Sequence, residues 1–436
     1  MRSFAATAIV IALTSQTLAD DWPQWMGPDR DGVWHEDGIV DEFPKDGLPV
    51  KWRVSIGLGY SGPAVAGGSV FVTDYVVDSG KVANNPGRKV KLTGQERLLC
   101  LDSQSGDLLW EHTDVVPYEI SYPSGPRCTP TIAGDHVYTL GAEGLLSCLV
   151  AKTGDVVWQK QLKEEYQTKA PHWGFSGHPL VDGDRLYCLV GGEGSVVVAF
   201  NRKTGEELWK AVSAKDAGYC PPSIIEAGGV RQLIVWDPEK INSLNLDTGD
   251  VYWQIPLVPD YEMSIMAPQK HGDHLFASGI GNVGALLKLD TDTPGASVAW
   301  KGDSRNAVYC ANSTPLIVDN TIYGVCCRGG QLRGVDLLSG DRLWETFQPT
   351  TGKRNAGHAT AFIVRNGDRY FLFSETGDLI LARLSREGYE EVSRFHVLKP
   401  TGEAFGRSVV WTHPAFAERS AFVRNDKEIV CVSLAK

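Results

Sequence analysis

Ten residues spread along this chain could form one recognition site if the fold gathers them: Arg127, His172, Trp173, His178, Asn312, Arg354, His358, Arg407, Trp411 and His413. Each lies in or beside a polar stretch between apolar runs. Guanidinium and imidazole groups donate to anionic or polar ligands. The flat faces of Trp173 and Trp411 could stack on a sugar or another ring. The competing use of these side chains is to cap strand ends and bond to loop carbonyls. No catalytic or metal set is assigned. The chain lacks a G-x-S-x-G elbow, a Walker loop and H-E-x-x-H. It also lacks C-x-x-C, which removes zinc ribbons and thioredoxin-like redox chemistry. Gly191-Gly192-Glu193-Gly194 reads as a strand turn, because no helix follows to complete a phosphate cradle.

The elements that would position these residues are legible in a repeat. Trp110, Trp158, Trp209, Trp253 and Trp344 each follow a glycine by four residues, and Trp300 follows Gly295 by five. The steps between them are 48, 51, 44, 47 and 44 residues. Pro130, Pro179, Pro222, Pro268 and Pro315 each open an apolar run. A tight turn follows, then a run with an aromatic (Tyr138, Tyr187, Phe276, Tyr323), a Gly-rich turn, a third run, a Thr-Gly-type turn and the Trp strand. Four short antiparallel strands recurring at about 45 residues indicate β-propeller blades.

The expected fold is all-β, an eight-bladed propeller closed by an N-terminal strand. Blade 1 runs from Pro63 to Trp110 with an insertion at 75–95, and five further blades end at the later Trp residues. A degenerate seventh spans 358–392, with Val392 at the Trp position. Three strands of an eighth occupy 413–434, and the orphan turn and strand from Asp46 to Trp52 should complete it. Seven blades is the alternative if 358–392 packs irregularly. The expected divisions are a leader at 1–19, an extension at 20–45 and a propeller at 46–436. The Trp series reads as framework, wedged between neighbouring blades.

In such a blade the fourth-to-first and second-to-third connections share one face. Here these are long and irregular: the insertion and loops 112–127, 161–177, 302–313, 346–357 and 396–411. The other connections are minimal. Long loops on a rigid scaffold carry function, so the looped face is the expected binding face. The insertion adds Lys81, Arg88, Lys89 and Lys91 to it.

Composition narrows the class of partner. The chain has 42 Lys and Arg against 53 Asp and Glu, a formal charge of -11, which disfavours nucleic-acid binding. Residues 1–19 combine Arg2, an apolar run from Phe4 to Leu13 and Thr17-Leu18-Ala19, and read as a cleaved export signal. No later stretch suits a membrane span, and the expected location is periplasmic or extracellular. Several of the nine cysteines lie in apolar runs as buried thiols.

Repeats ending in T-G-D-x-x-W, joined as eight blades over Lys51 to Leu434, resemble the pyrroloquinoline-quinone (PQQ) repeat proteins. That superfamily includes the quinoprotein alcohol dehydrogenases and the outer-membrane assembly factor BamB. The run from Asp21 to Gly32, with Trp22, Trp25 and Met26, looks like the leader of exported PQQ-like propellers. The resemblance implies an exported, non-enzymatic scaffold binding a protein, a polymer or a small polar ligand. It leaves open a PQQ- and calcium-dependent oxidoreductase, and the aromatics leave open a carbohydrate-binding module. The dehydrogenases carry a bridged pair of adjacent cysteines. Here Cys326-Cys327 continues the apolar run of the strand that holds Tyr323, where neighbouring residues point to opposite faces, and no Glu/Asn/Asp calcium set stands at the channel positions. No cofactor is therefore expected, and the expected partner is a protein or polysaccharide.

Overall fold

The computed structural model describes residues 20–436; the candidate leader peptide at 1–19 lies outside the described residues. Eight four-stranded antiparallel blades form the ring, the first carrying one additional short strand. Blade 1 comprises Ala64–Ala66, Ser69–Ser79, Val90–Asp102 and Leu108–Val115. Blade 7 comprises Ala361–Asn366, Arg369–Ser374, Asp378–Leu384 and Tyr389–His396, regular throughout. Blade 8 takes Ala415–Ala417, Ser420–Arg424 and Glu428–Ser433 from the end of the chain. Its outermost strand is Val50–Ser55, which pairs with Glu428–Ser433. The innermost strands of blades 8 and 1 lie side by side, so the ring is closed.

The repeated Trp is a clasp between blades. Its outermost strand shifts register just before it in every Trp-bearing blade, as where Trp158 pairs with Cys148 but Val156 with Leu149. Such a bulge twists the strand and re-aims the next side chain. Trp158 Nε1 then donates to the Arg202 carbonyl in the turn of the following blade at 3.0 Å. Trp52, Trp110, Trp209, Trp300 and Trp344 make the same bond to Ser103, Ala151, Leu246, Leu337 and Ser385. The ring lies against the turn glycine. At Gly205, φ is +72° and a Cβ would approach the Trp158 ring to 2.8 Å, so only glycine admits the wedge.

Two blades depart from the pattern. The blade 5 turn is Thr291-Asp292-Thr293-Pro294-Gly295, and Trp253 turns instead to Gln232 Oε1 at 2.9 Å. In blade 7, Ala382 pairs with Glu391 and Leu381 with Ser393, which places Val392 in the bulge. Ser393, one residue later than expected, therefore holds the Trp register, and Phe395 packs against the Gly47 turn.

The insertion in blade 1 is an extension of its two middle strands, paired from Tyr75–Glu96 to Ser79–Thr93. Its root is held by a buried carboxyl. Glu96 Oε1 accepts from Tyr118 Oη at 2.6 Å and from Ala142 N–H at 2.9 Å. Tyr118 stacks on Tyr75 with ring centroids 4.0 Å apart. Burial pushes the Glu96 carboxyl up to about 7.

All nine cysteines are buried free thiols. Cys326 and Cys327 follow the strand Thr321–Val325 where it gives way to a turn. No helix among the described residues is long and apolar enough to cross a membrane.

Candidate functional site

The N-terminal extension is a plug. Trp22 bridges to Val65 in the inner strand of blade 1, and the Pro23 carbonyl accepts from Ile132 N–H of blade 2. Arg30 is buried and donates to the carbonyls of His178, Pro179 and Pro222, at the start of blades 3 and 4. Met26 and Trp25 pack with Ala267 of blade 5 and Leu316 of blade 6. Val33 bridges to Arg365 of blade 7, and Trp34 packs on Phe416 of blade 8. One segment thus touches the inner part of all eight blades. Asp21 accepts from Gly67 N–H at a short turn, so the plug enters from the face of minimal connections and floors the channel.

Above that floor the looped face opens into a funnel of about 780 Å³. Arg127, His172, Trp173, Asn312, His358 and Trp411 line it, six of the ten residues named from sequence. Tyr60, Tyr122, Tyr219, Tyr261 and Phe405 complete an aromatic wall, and Pro86 and Gly87 of the blade 1 hairpin lean over the rim. His172 holds that hairpin, with Nε2 2.9 Å from the Pro86 carbonyl.

Several of the polar groups bind loop backbone. Arg127 donates to the carbonyls of Trp173, Gly125, Ser121 and Tyr122 and lies 5.2 Å from the centre of the Tyr60 ring. It meets no carboxylate. Asn312 Nδ2 donates to the His358 carbonyl at 3.2 Å, and the His358 ring stacks on Phe405. Burial and the nearby Arg407 charge hold His358 below the usual imidazole range. Trp411 Nε1 donates to Glu375 at 3.0 Å, and Arg407 donates to the same buried carboxylate at 2.8 Å. Arg407 therefore stands behind the wall and fixes Trp411. Arg354 is exposed on its own loop and does not line the funnel.

His178 and His413 lie one layer down, around a chamber of about 170 Å³ continuous with the funnel. Trp25 of the plug stacks on His178 with centroids 5.1 Å apart and donates from Nε1 to His413 Nε2 at 3.2 Å. Burial drives both imidazoles towards the neutral form, His178 well below its usual range and His413 down to about 3. Among the described residues no three His, Cys, Asp or Glu side chains converge as a metal-ligand group.

The chain matches the family described as outer membrane protein assembly factor BamB over residues 94–265 and 262–435. It belongs to that family. The BamB of Yersinia pestis is 28% identical over 270 residues, covering 59% of this chain and 64% of that protein. The BamB of Shewanella oneidensis is 20% identical over 258 residues, covering 56% and 63%. The chain thus aligns with just under two thirds of the length of these BamB relatives. Solved structures share the fold. The BamB structure from Moraxella catarrhalis superposes with a TM-score of 0.55 at 14% identity, covering 87% of this chain and 96% of that one. A europium-containing methanol dehydrogenase superposes with a TM-score of 0.61 at 13% identity, covering 95% and 89%. The propeller is common to assembly factors and dehydrogenases, so function has to be argued from the site.

Proposed function

We propose that this BamB-family propeller is a non-enzymatic binding scaffold, acting outside the cytoplasm, that receives a segment of a partner protein in the funnel of its looped face. One observation carries the reading: a blind, aromatic-walled funnel, floored by the chain's own N-terminal segment. Preformed concave sites with apolar walls and a few fixed polar groups are the usual form of ligand pockets. The rigid backing of Trp411 by Glu375 and Arg407 gives the wall a fixed shape, which lowers the entropic cost of association. The relatives' description as assembly factors agrees with a protein partner, and their naming for the outer membrane agrees with an exported chain.

The donor set supports binding over quinone chemistry. A calcium-bound quinone needs uncommitted carboxylate and amide oxygens on the channel floor. Carboxylates close to the funnel are engaged: Glu375 by Arg407 and Trp411, Glu262 by Lys215, and Asp426 by the Gly59 N–H. The residues present do not fit that group.

The reading is tested by placing a photo-crosslinking side chain at Phe405 or Tyr261 on the rim, and at Thr153 or Lys203 in the short turns. Protein adducts in cells should form from the rim positions and fall when Trp411→Ala is added. Adducts from the short turns alone would overturn it.

A further inference from the structure

The chamber beneath the funnel is built from donors. Neutral imidazole has one donor and one acceptor nitrogen. His178 spends its acceptor, Nδ1, on the Thr129 N–H at 2.9 Å, which places its proton on Nε2. His413 spends Nε2 on the Trp25 indole, which places its proton on Nδ1. Both rings line the chamber, and neither remaining N–H meets a protein acceptor. His178 is 94% buried, at 6% exposure. Polar groups in such a place are ordinarily paired, so two imidazole N–H groups left without a protein acceptor on one chamber wall point to a ligand that accepts from them.

Charge selects the kind of ligand. Arg30 lies directly under this layer, bonded to Gln24 Oε1 and to carbonyls, with no carboxylate. Arg127 on the chamber wall is likewise bonded to carbonyls alone. Burial pushes the Arg30 guanidinium down to about 9, as expected of a cation without a counter-ion. Two guanidiniums with no carboxylate in contact favour a charged acceptor over a neutral carbonyl or hydroxyl.

We propose that the chamber binds a carboxylate, carried on an aromatic or aliphatic body that packs against the funnel wall. The inference rests on the looped face being the binding face. Two sources share this chemistry: the C-terminal carboxylate of a polypeptide, and a free organic acid.

The test titrates the full chain calorimetrically with two matched pairs. One is the tripeptide Gly-Trp-Phe as free acid and as C-terminal amide; the other is indole-3-propionate and its amide. In at least one pair the acid should bind about tenfold or more tightly than the amide. Preference within the peptide pair identifies a chain end, and preference confined to the indole pair identifies a free acid. In either case the preference should be lost in Trp411→Ala, whose ring touches both cavities. Equal binding of acid and amide in both pairs, or no binding of any probe at millimolar concentration, overturns the inference. Equal binding that weakens in Trp411→Ala leaves the looped-face reading standing while the carboxylate pocket falls. Binding indifferent to Trp411→Ala would sink both.

Discussion

Glu96→Gln should convert a pH-dependent stability into a flat one. The buried carboxyl titrates near 7 in the folded protein, against an ordinary value of 4.5. A folded value above the unfolded one means that the native state holds a proton that the unfolded chain releases. The contribution is therefore complete below pH 4.5 and is lost as pH rises through 7. The displacement corresponds to about 3 kcal/mol. Glutamine keeps the oxygen that accepts from Tyr118 and Ala142 and has nothing to ionise. For 436 residues the unfolding entropy is about 0.9 kcal/mol/K, so the shift expected in Tm is about 3 °C. Parent and variant should melt together near pH 4, and the variant should melt about 3 °C higher near pH 8, read by scanning calorimetry. Curves that stay parallel from pH 5 to 8 would refute the assignment of a protonated Glu96.

Trp158→Ala should destabilise the ring by about 3 kcal/mol without altering funnel binding. Gly205→Ala should cost less in that background than alone, because the clashing ring is gone; a strictly additive double-mutant cycle would contradict the clasp. Deleting residues 20–56 removes both plug and closing strand, and light scattering should report aggregation from the open edge of Glu428–Ser433. A soluble deletion variant with the parent's Tm would refute the closure role. No thiol should react with Ellman's reagent in the native protein at pH 8, and nine should react in denaturant. A titration of seven would instead indicate a bridged pair.

The fold was legible because one physical device recurs. A left-handed glycine four residues before a wedging Trp recurs in five units, and the closing strand carries a related signature, five residues from Gly47 to Trp52. Register was less legible. In blade 7 the bulge falls one pair further from the turn than in blade 2, a shift that leaves composition unchanged, which is why counting from Gly388 reaches Val392 when the pairing gives Ser393. The plug left no periodic trace, since Trp22, Trp25 and Arg30 contact strand starts scattered through the sequence. Tyr60, Tyr122, Tyr261 and Phe405 sit in connections that do not repeat, so nothing in their spacing marked them as one wall. Arg127 and Trp411 stood out as residue types, yet their backbone and Glu375 partners became visible only in three dimensions.

The closing strand also sets a timetable. Val50 pairs with Val432, and Trp34 lies on Phe416, so the segment made early in synthesis waits for the part made late. The middle blades draw their strands from contiguous sequence and can condense as they appear. The last sheet and the channel floor cannot. A growing chain of this design passes through a stage with a hollow core and a loose leading end, exposed to solvent and to other chains. Joining the Lys436 end to Val50 in a circular permutant would abolish that wait for the sheet, and faster refolding of the permutant would measure how long the native order imposes it.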